Sequence, residues 1–395
     1  MTPAVRSPFE TNQDMSFLAS HKFASSRPTI GKRFGFKEID VTVFEMQNLP
    51  GKERDAWRRI QESNPELINP FFRVEFSEDL AKVRPNVMVA VLKVGDTTIG
   101  FWPYQEIKPG IAIPVGEKIG CMHGIICSPD LKIKGASLAK RCGLKSWKFD
   151  HLLASQNIFS EGYFETLESP FMDLGDGYVN YIQNLKDNGH SGRKFLELGR
   201  KSRKLAKDHG AIRFEIDCDD DFALECLIQW KRDQMDRTKR VDLFVQSPWI
   251  ESLIKYSMRR KSDAFRGVMS VLYLNDDPIS VHFGFRSNGY LHGIFFAYDQ
   301  QYTKYSPGML LVLNLAQHAN DIGITRIDMG KGAEGYKNFW KSDSTTIAVG
   351  RYETNPILSF FSPRAYQLKR KISVSKFGPR AKMLLGSVQR FKHGI

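Results

Sequence analysis

Among its 395 residues the chain has no CxxC pair, no HExxH, no GxSxG elbow and no paired-carboxylate or zinc-ligand motif. Nor is there an apolar run near the ~20 residues that span a bilayer, the longest pieces resembling VMVAVL. These absences argue against dithiol redox chemistry, zinc hydrolysis, a nucleophile-elbow hydrolase and a helical membrane protein, and no metal is expected. Cys121, Cys127, Cys142, Cys218 and Cys226 are odd in number and none lies at zinc spacing with a histidine, so reduced, mostly buried thiols are expected. The first 35 residues mix Ser, Thr, Pro and Arg without the apolar block of a secretion signal. They read as a mobile arm on a cytoplasmic protein.

What is present is ample core material, with 42% hydrophobic, 12% aromatic and 26% charged residues, which describes a globular chain long enough for two domains. A formal charge of +13 points to an anionic partner, either a phosphorylated cofactor, nucleic acid or lipid headgroups.

Two hairpins carry the organisation. VLKVGDTTIGFWPY, from Val91, and VLYLNDDPISVHFG, from Val271, place their turns at the same position and start 180 residues apart. Each follows a charged, helix-like block (GKERDAWRRIQESNPEL, DFALECLIQWKRDQMDRT). Each precedes a strand and a helix, GCMHGIICSP with ASLAKRCGLKSW and GYLHGIFFAY with PGMLLVLNLAQHANDIG. The reading is an α/β (α+β) chain of two similar halves, each a mixed sheet flanked by helices. Its divisions are the arm, 1–35, an amino-terminal half, 36–175, a carboxy-terminal half, 176–355, and a basic tail, 356–395. Between the halves a long helical stretch carries Arg200, Lys201, Arg203, Lys204 and Lys207, either a solvated face or a rim that attracts an anion.

In YSPGMLLVLNLAQHANDIG, Pro307 presets φ for a first helical turn and Gly308 lets a ligand approach the backbone. The amides of Gly308, Met309 and Leu310 then leave the helix beginning as anion donors, and Lys304 could add a charge. Alternatively, Ser306 simply caps an ordinary helix.

The run YDQQYTKYSPGMLLVLNLAQHANDIGITRIDMGKGAEGYKNFWKSDS resembles the signature region of the GNAT superfamily, in the acetyltransferase branch associated with cellulose and exopolysaccharide biosynthesis. WRRIQESNPELINPFFRVEF, SPFMDLGDGYVNYIQNLK and RKSRKLAKDHGAIRFEI extend the resemblance to roughly residues 38 to 355. It implies tandem GNAT-like subdomains, the second holding the acyl donor, as in the related Fem-type peptidyltransferases. It also implies acetyl-CoA or another acyl-CoA as co-substrate. Only Ser306, Pro307 and Gly308 stand where the usual phosphate loop is longer, a spareness shared with Fem-type relatives that use aminoacyl-tRNA.

Acyl transfer needs a base, oxyanion donors and an acid for the leaving thiolate. The resemblance implies Tyr336 as the acid and Lys337, its partner in a Tyr-Lys pair, as the group nearest the acyl carbonyl. His282 and His292, on neighbouring strands, are candidate bases. Alternation puts His282 on the face of Ser280, Gly284 and Arg286, a polar face that solvent alone would explain. Asp328 and Glu334 flank MGKGA and either position a substrate hydroxyl or cap the next helix.

The expected activity is acyl-CoA-dependent N- or O-acyl transfer to a small-molecule or glycan-precursor acceptor, such as a sugar nucleotide. The alternatives are aminoacyl transfer from tRNA, or a silent scaffold that binds an anionic polymer. From Phe361 onward nine Lys and Arg stand without a single acid, interleaved with Leu368, Ile372, Met383, Leu384, Leu385 and Phe391. That pattern suits the anionic inner face of a membrane, and Gly378 and Pro379 would break any helix there.

Overall fold

The structure, a computed structural model, describes residues 39–374 apart from 132, 190–191 and 333–334. The expected arm, the tail beyond 374 and Glu334 lie outside the described residues.

The first half runs β1 (Asp40–Glu45), α1 (Gly51–Ser63), α2 (Val74–Val83), β2 (Val87–Val94), β3 (Thr97–Lys108), β4 (Ile111–Ile113), β5 (Ile126–Cys127), α3 (Gly135–Arg141), β6 (Ser146–Leu153) and β7 (Tyr163–Asp173). Helices α4 (Gly177–Asp187) and α5 (Gly192–His209) lead to the second half. There follow β8 (Ile212–Ile216), α6 (Asp221–Arg237), α7 (Leu243–Gln246), α8 (Trp249–Met258), β9 (Arg266–Leu274), β10 (Asp277–Ser287) and β11 (Tyr290–Tyr298). The chain then forms α9 (Pro307–His318), β12 (Arg326–Asp328), α10 (Tyr336–Trp340), β13 (Asp343–Glu353) and α11 (Pro356–Val374).

The two hairpins match in detail. Each opens its two-residue turn with a left-handed residue, Gly95 at φ 56° and Asn275 at φ 55°, the geometry that fits the twist of the flanking strands. Among the described residues the strands form one sheet in the order β1-β2-β3-β4-β6-β13-β7-β12-β11-β10-β9-β8, with β5 beside β3. From either edge the pairing is the same: three antiparallel steps, one parallel step (β4 with β6, β11 with β12), then an antiparallel one. The expected class, a mixed sheet flanked by helices, is the one observed.

At the centre the halves exchange strands. The last strand of the second half, β13, pairs with β6, whereas β7 pairs with β12. β13 and β7 then join each other from Asp343↔Phe171 to Gly350↔Tyr163. A cut between 175 and 176 therefore does not separate the strands of the two halves in space.

Three apolar cores accompany this sheet. One unites α1, α2, β2 and β3 with α6, α8, β9 and β10, and includes Trp57, Phe71, Phe101, Ile250, Phe283 and Phe285. The second lies under α4, α5 and α9 around Tyr181, Leu311 and Trp340, and the third under α3 around Trp102, Trp147 and Phe159. The first core covers one face of β10, through Val281, Phe283 and Phe285, and α9 with the second core covers the other, so the strand has no solvent face. Ser280, His282 and Arg286, read from sequence as explicable by exposure, are all buried.

Candidate functional site

β11 and β12 are parallel only from Tyr290↔Arg326 to His292↔Asp328. Past that point the strands part. β11 continues to Tyr298, while the other chain turns through Gly330 (φ 74°) and Gly332 (φ 94°), whose amide bonds Glu168 O of β7. The opening leaves one edge of β11 beyond His292 available to an extended ligand.

At one end of this opening stands the start of α9. Ser306 is left-handed (φ 56°) and makes no side-chain cap; its Oγ instead accepts from Lys201 Nζ of α5 at 2.9 Å. Leu310 N donates to Ser306 O, so Gly308 and Met309 carry the amides that precede the first helical bond. Lys304 is exposed, its Nζ 4.8 Å from the Tyr305 ring centre. Gly308 serves packing: a Cβ there would stand 2.6 Å from the Phe296 ring, so the space read from sequence as room for a ligand is held by an aromatic. The same Phe296 ring lies 6.0 Å from that of Tyr336, linking the beginnings of α9 and α10.

Tyr336 is 39% exposed and its phenol is pushed up by desolvation, so it is a protonated donor at neutral pH. Lys337 Nζ donates to Gly330 O at 3.1 Å and Lys331 O at 2.9 Å, fixing the glycine turn. A Cβ on Gly330 would stand 3.7 Å from His292 Nε2 and 3.9 Å from Lys337 Nζ, which places these two nitrogens on one side of the turn.

His292 is wholly buried, and its Nδ1 meets Asn69 Nδ2 at 3.0 Å. Asn69 Oδ1 accepts from Phe71 N at 3.1 Å, which fixes the amide so that Nδ2 donates to the imidazole. The proton of neutral His292 therefore sits on Nε2, an atom with no hydrogen-bond partner. Burial lowers its pKa to about 4, against the opposing Asp328 carboxylate and helped by His151 and Lys337. In this tautomer His292 is a donor, not a base. His282, also buried, is likewise lowered to about 4 by burial and by His292, and its Nδ1 lacks a partner.

Asp328 ties the strands together, accepting from Ser169 Oγ (2.9 Å), Gly330 N (2.7 Å) and Tyr290 OH (3.0 Å). It holds the turn rather than a substrate. Nearby, a cavity of about 330 Å³ is lined by Asn69, Met122, Leu153, Tyr290, Arg326 and Thr345, among others from both halves.

Two features escaped the sequence reading. Lys231 of α6 is lowered to about 8 by burial and by the charges of Arg240 and Lys337, so three cations lie near the site. Asp150 of β6 is the other: its Oδ1 lies 3.2 Å from His123 Nε2 and 3.0 Å from His151 Nδ1, and its Oδ2 lies 3.4 Å from Lys331 Nζ. The available signal was the repeat itself, since MHGII at His123 matches LHGIF at His292. The thiols of Cys121, Cys127 and Cys142 are pushed up to about 12, chiefly by burial, which leaves them unreactive.

Residues 193–338 match the family model described as an acetyltransferase (GNAT) domain. Among solved structures, FemX aligns with a TM-score of 0.54 and 9% identity over 81% of this chain and 99% of its own, a likeness of fold. A tandem GNAT protein from the clavulanic acid biosynthesis pathway aligns with a TM-score of 0.45 and 10% identity, over 81% and 99%. No curated protein matches the sequence. The parting parallel strands, the uncapped start of α9 and the Tyr-Lys pair all fall in or at the edges of the matched segment. Over residues 193–338 the chain is similar to GNAT acetyltransferase domains.

Proposed function

We propose that the protein transfers an acyl group, acetyl in the simplest case, from coenzyme A to an amine or hydroxyl of a phosphorylated or otherwise anionic acceptor such as a sugar nucleotide. The observation that carries this reading is the start of α9. Two orphan amides, the helix dipole and Lys201 converge there on a position suited to a pyrophosphate, with Lys304 beside it. The pantetheine arm would lie along the free edge of β11, and the thioester would reach the turn at Gly330. There the His292 Nε2–H and Lys337 Nζ are placed to stabilise negative charge on the carbonyl oxygen, and Tyr336 to protonate the departing thiolate. The cations Lys231, Arg240 and Lys337 favour an acceptor that carries phosphate.

The decisive experiment is thermal unfolding with acetyl-CoA. A rise in Tm that saturates with ligand supports the reading by linkage, and no rise at millimolar acetyl-CoA would refute it. Transfer from aminoacyl-tRNA is the second reading, favoured by exposed Arg200, Arg203, Lys204 and Lys207 along α5. A salt-resistant mobility shift with tRNA would select it.

The exposed side of α11 bears on where the enzyme works. Ile357, Phe360, Phe361 and Leu368 face solvent beside Arg364 and Arg370, while Tyr366 OH anchors the helix to Glu165 of β7 at 2.9 Å. This combination supports peripheral attachment to an anionic membrane.

A further inference from the structure

Asp150, outside the donor half, meets two histidines and a lysine, and the acyl-transfer reading gives it no role. Burial pushes its carboxyl up, but hydrogen bonds and charge from His123 and His151 outweigh that and hold it well below the usual carboxylate range. An ionised carboxylate only accepts, so both imidazoles must turn an N–H toward Oδ1. Neutral His151 is thereby fixed with its proton on Nδ1 and its lone pair on Nε2. Neutral His123 is fixed the opposite way, with its lone pair on Nδ1. His151 makes the shorter contact and is the more open of the two rings, with 11% of its side chain exposed against 3% for His123. Burial lowers the pKa of His123, opposed by Asp150.

The cluster adjoins the glycine turn. Lys331, which touches Asp150, belongs to the glycine turn whose carbonyls Lys337 holds, and a charge on His151 depresses the basicity of His292. The other titratable groups about it are Cys121, coupled to Asp150 and Lys331, and Tyr366 of α11. The Lys331 ammonium against Asp150 makes this a poor place for a cation and a good one for a proton acceptor that becomes positive only transiently.

We propose that His151, oriented by Asp150 and steadied by His123, is the general base of the transfer, so that the amino-terminal half activates the acceptor while the carboxy-terminal half holds the acyl donor. The proposal rests on the acyl-transfer reading. The acceptor N–H or O–H gives its proton to His151 Nε2, and its lone pair forms the bond to the thioester carbonyl carbon. The C–S bond breaks, the thiolate takes the Tyr336 proton, and the imidazolium, stabilised by Asp150, later releases its proton to water as the Tyr336 phenolate takes one up from water, which restores both groups. His151 is the catalytic residue here; Asp150 and His123 are positioning residues.

Two measurements on the full chain test this. The first is nitrogen-15 NMR of labelled histidines at neutral pH, which should find His151 as the Nδ1–H tautomer with a hydrogen-bonded, downfield Nδ1 proton that Asp150→Asn abolishes. An Nε2–H tautomer, or a signal indifferent to Asp150→Asn, overturns the proposal whether or not acetyl-CoA binds. Stoichiometric Zn²⁺ binding that shifts the same signals also overturns it, in favour of a metal site. The second is thiol release from acetyl-CoA with water as the acceptor. His151→Gln should lower kcat about 10²-fold with KM for acetyl-CoA unchanged. Turnover in His151→Gln within about threefold of the unaltered protein would remove His151 from the chemistry. Absence of acetyl-CoA binding by the unaltered protein refutes the donor reading instead, and the NMR result still decides the dyad.

Discussion

Asn69 donates to His292 across 223 residues of sequence, and that bond sets the histidine's chemistry. With Nδ1 occupied as an acceptor, the ring presents only an N–H toward the glycine turn at Gly330. Asn69→Leu should release the tautomer and lower kcat about tenfold with donor affinity retained, measured by thiol release beside calorimetric titration with acetyl-CoA. Unchanged kcat would remove the donor role from His292.

Burial of His282 and His292 has a pH consequence whose sign is fixed. Each is near 6.5 when unfolded and lowered to about 4 when folded, so between those values the unfolded chain binds more protons. Their stability contribution is complete above pH 6.5 and is lost as pH falls toward 4, at up to about 1.4 kcal/mol per pH unit for each ring. Urea midpoints should drop across this window, and His282→Asn should flatten the slope.

The donor end is best tested through Lys201, because Gly308 is locked by Phe296 and a bulkier residue there would disturb the core. Lys201→Ala should raise KM for acetyl-CoA about tenfold and leave kcat nearly unchanged. Equal KM values would move the phosphates away from α9.

Tyr336→Phe and Lys337→Ala should act on kcat instead, each by about 10²-fold or more, with KM for the donor little altered. Near-native turnover in both variants would place the chemistry elsewhere.

Phe360→Ser with Phe361→Ser should abolish sedimentation with vesicles of anionic lipid at low salt while leaving Tm unchanged, since both rings are exposed. Equal pelleting of variant and unaltered chain would exonerate α11.

The hairpins, their left-handed turn residues and the helix beginning at Pro307 were legible in the sequence because each is local, written in a few adjacent residues. So was the helix that carries Tyr336 and Lys337 after the strand ending at Asp328. What stayed hidden depends on residues far apart in the chain: the tautomer of His292 set by Asn69, and Lys331 reaching Asp150 from 181 positions away. Alternation along β10 gave a polar face correctly, yet nothing local announced that α9 and the second core would bury it. Equally, Gly308 signalled a close approach, but what approaches is Phe296.

Since β13 completes the sheet of the first half and β7 that of the second, neither half can complete its sheet without the other. A protease nick in the connection between α4 and α5 should leave two fragments that migrate together until denatured, and neither fragment expressed alone should fold. Nor can the halves swing apart like jaws, for any such hinge would tear β13 from β7 along eight paired positions. The two halves are thus riveted at a constant separation, and on the proposed division of labour substrates must come and go past side chains and loops rather than through an opening clamp.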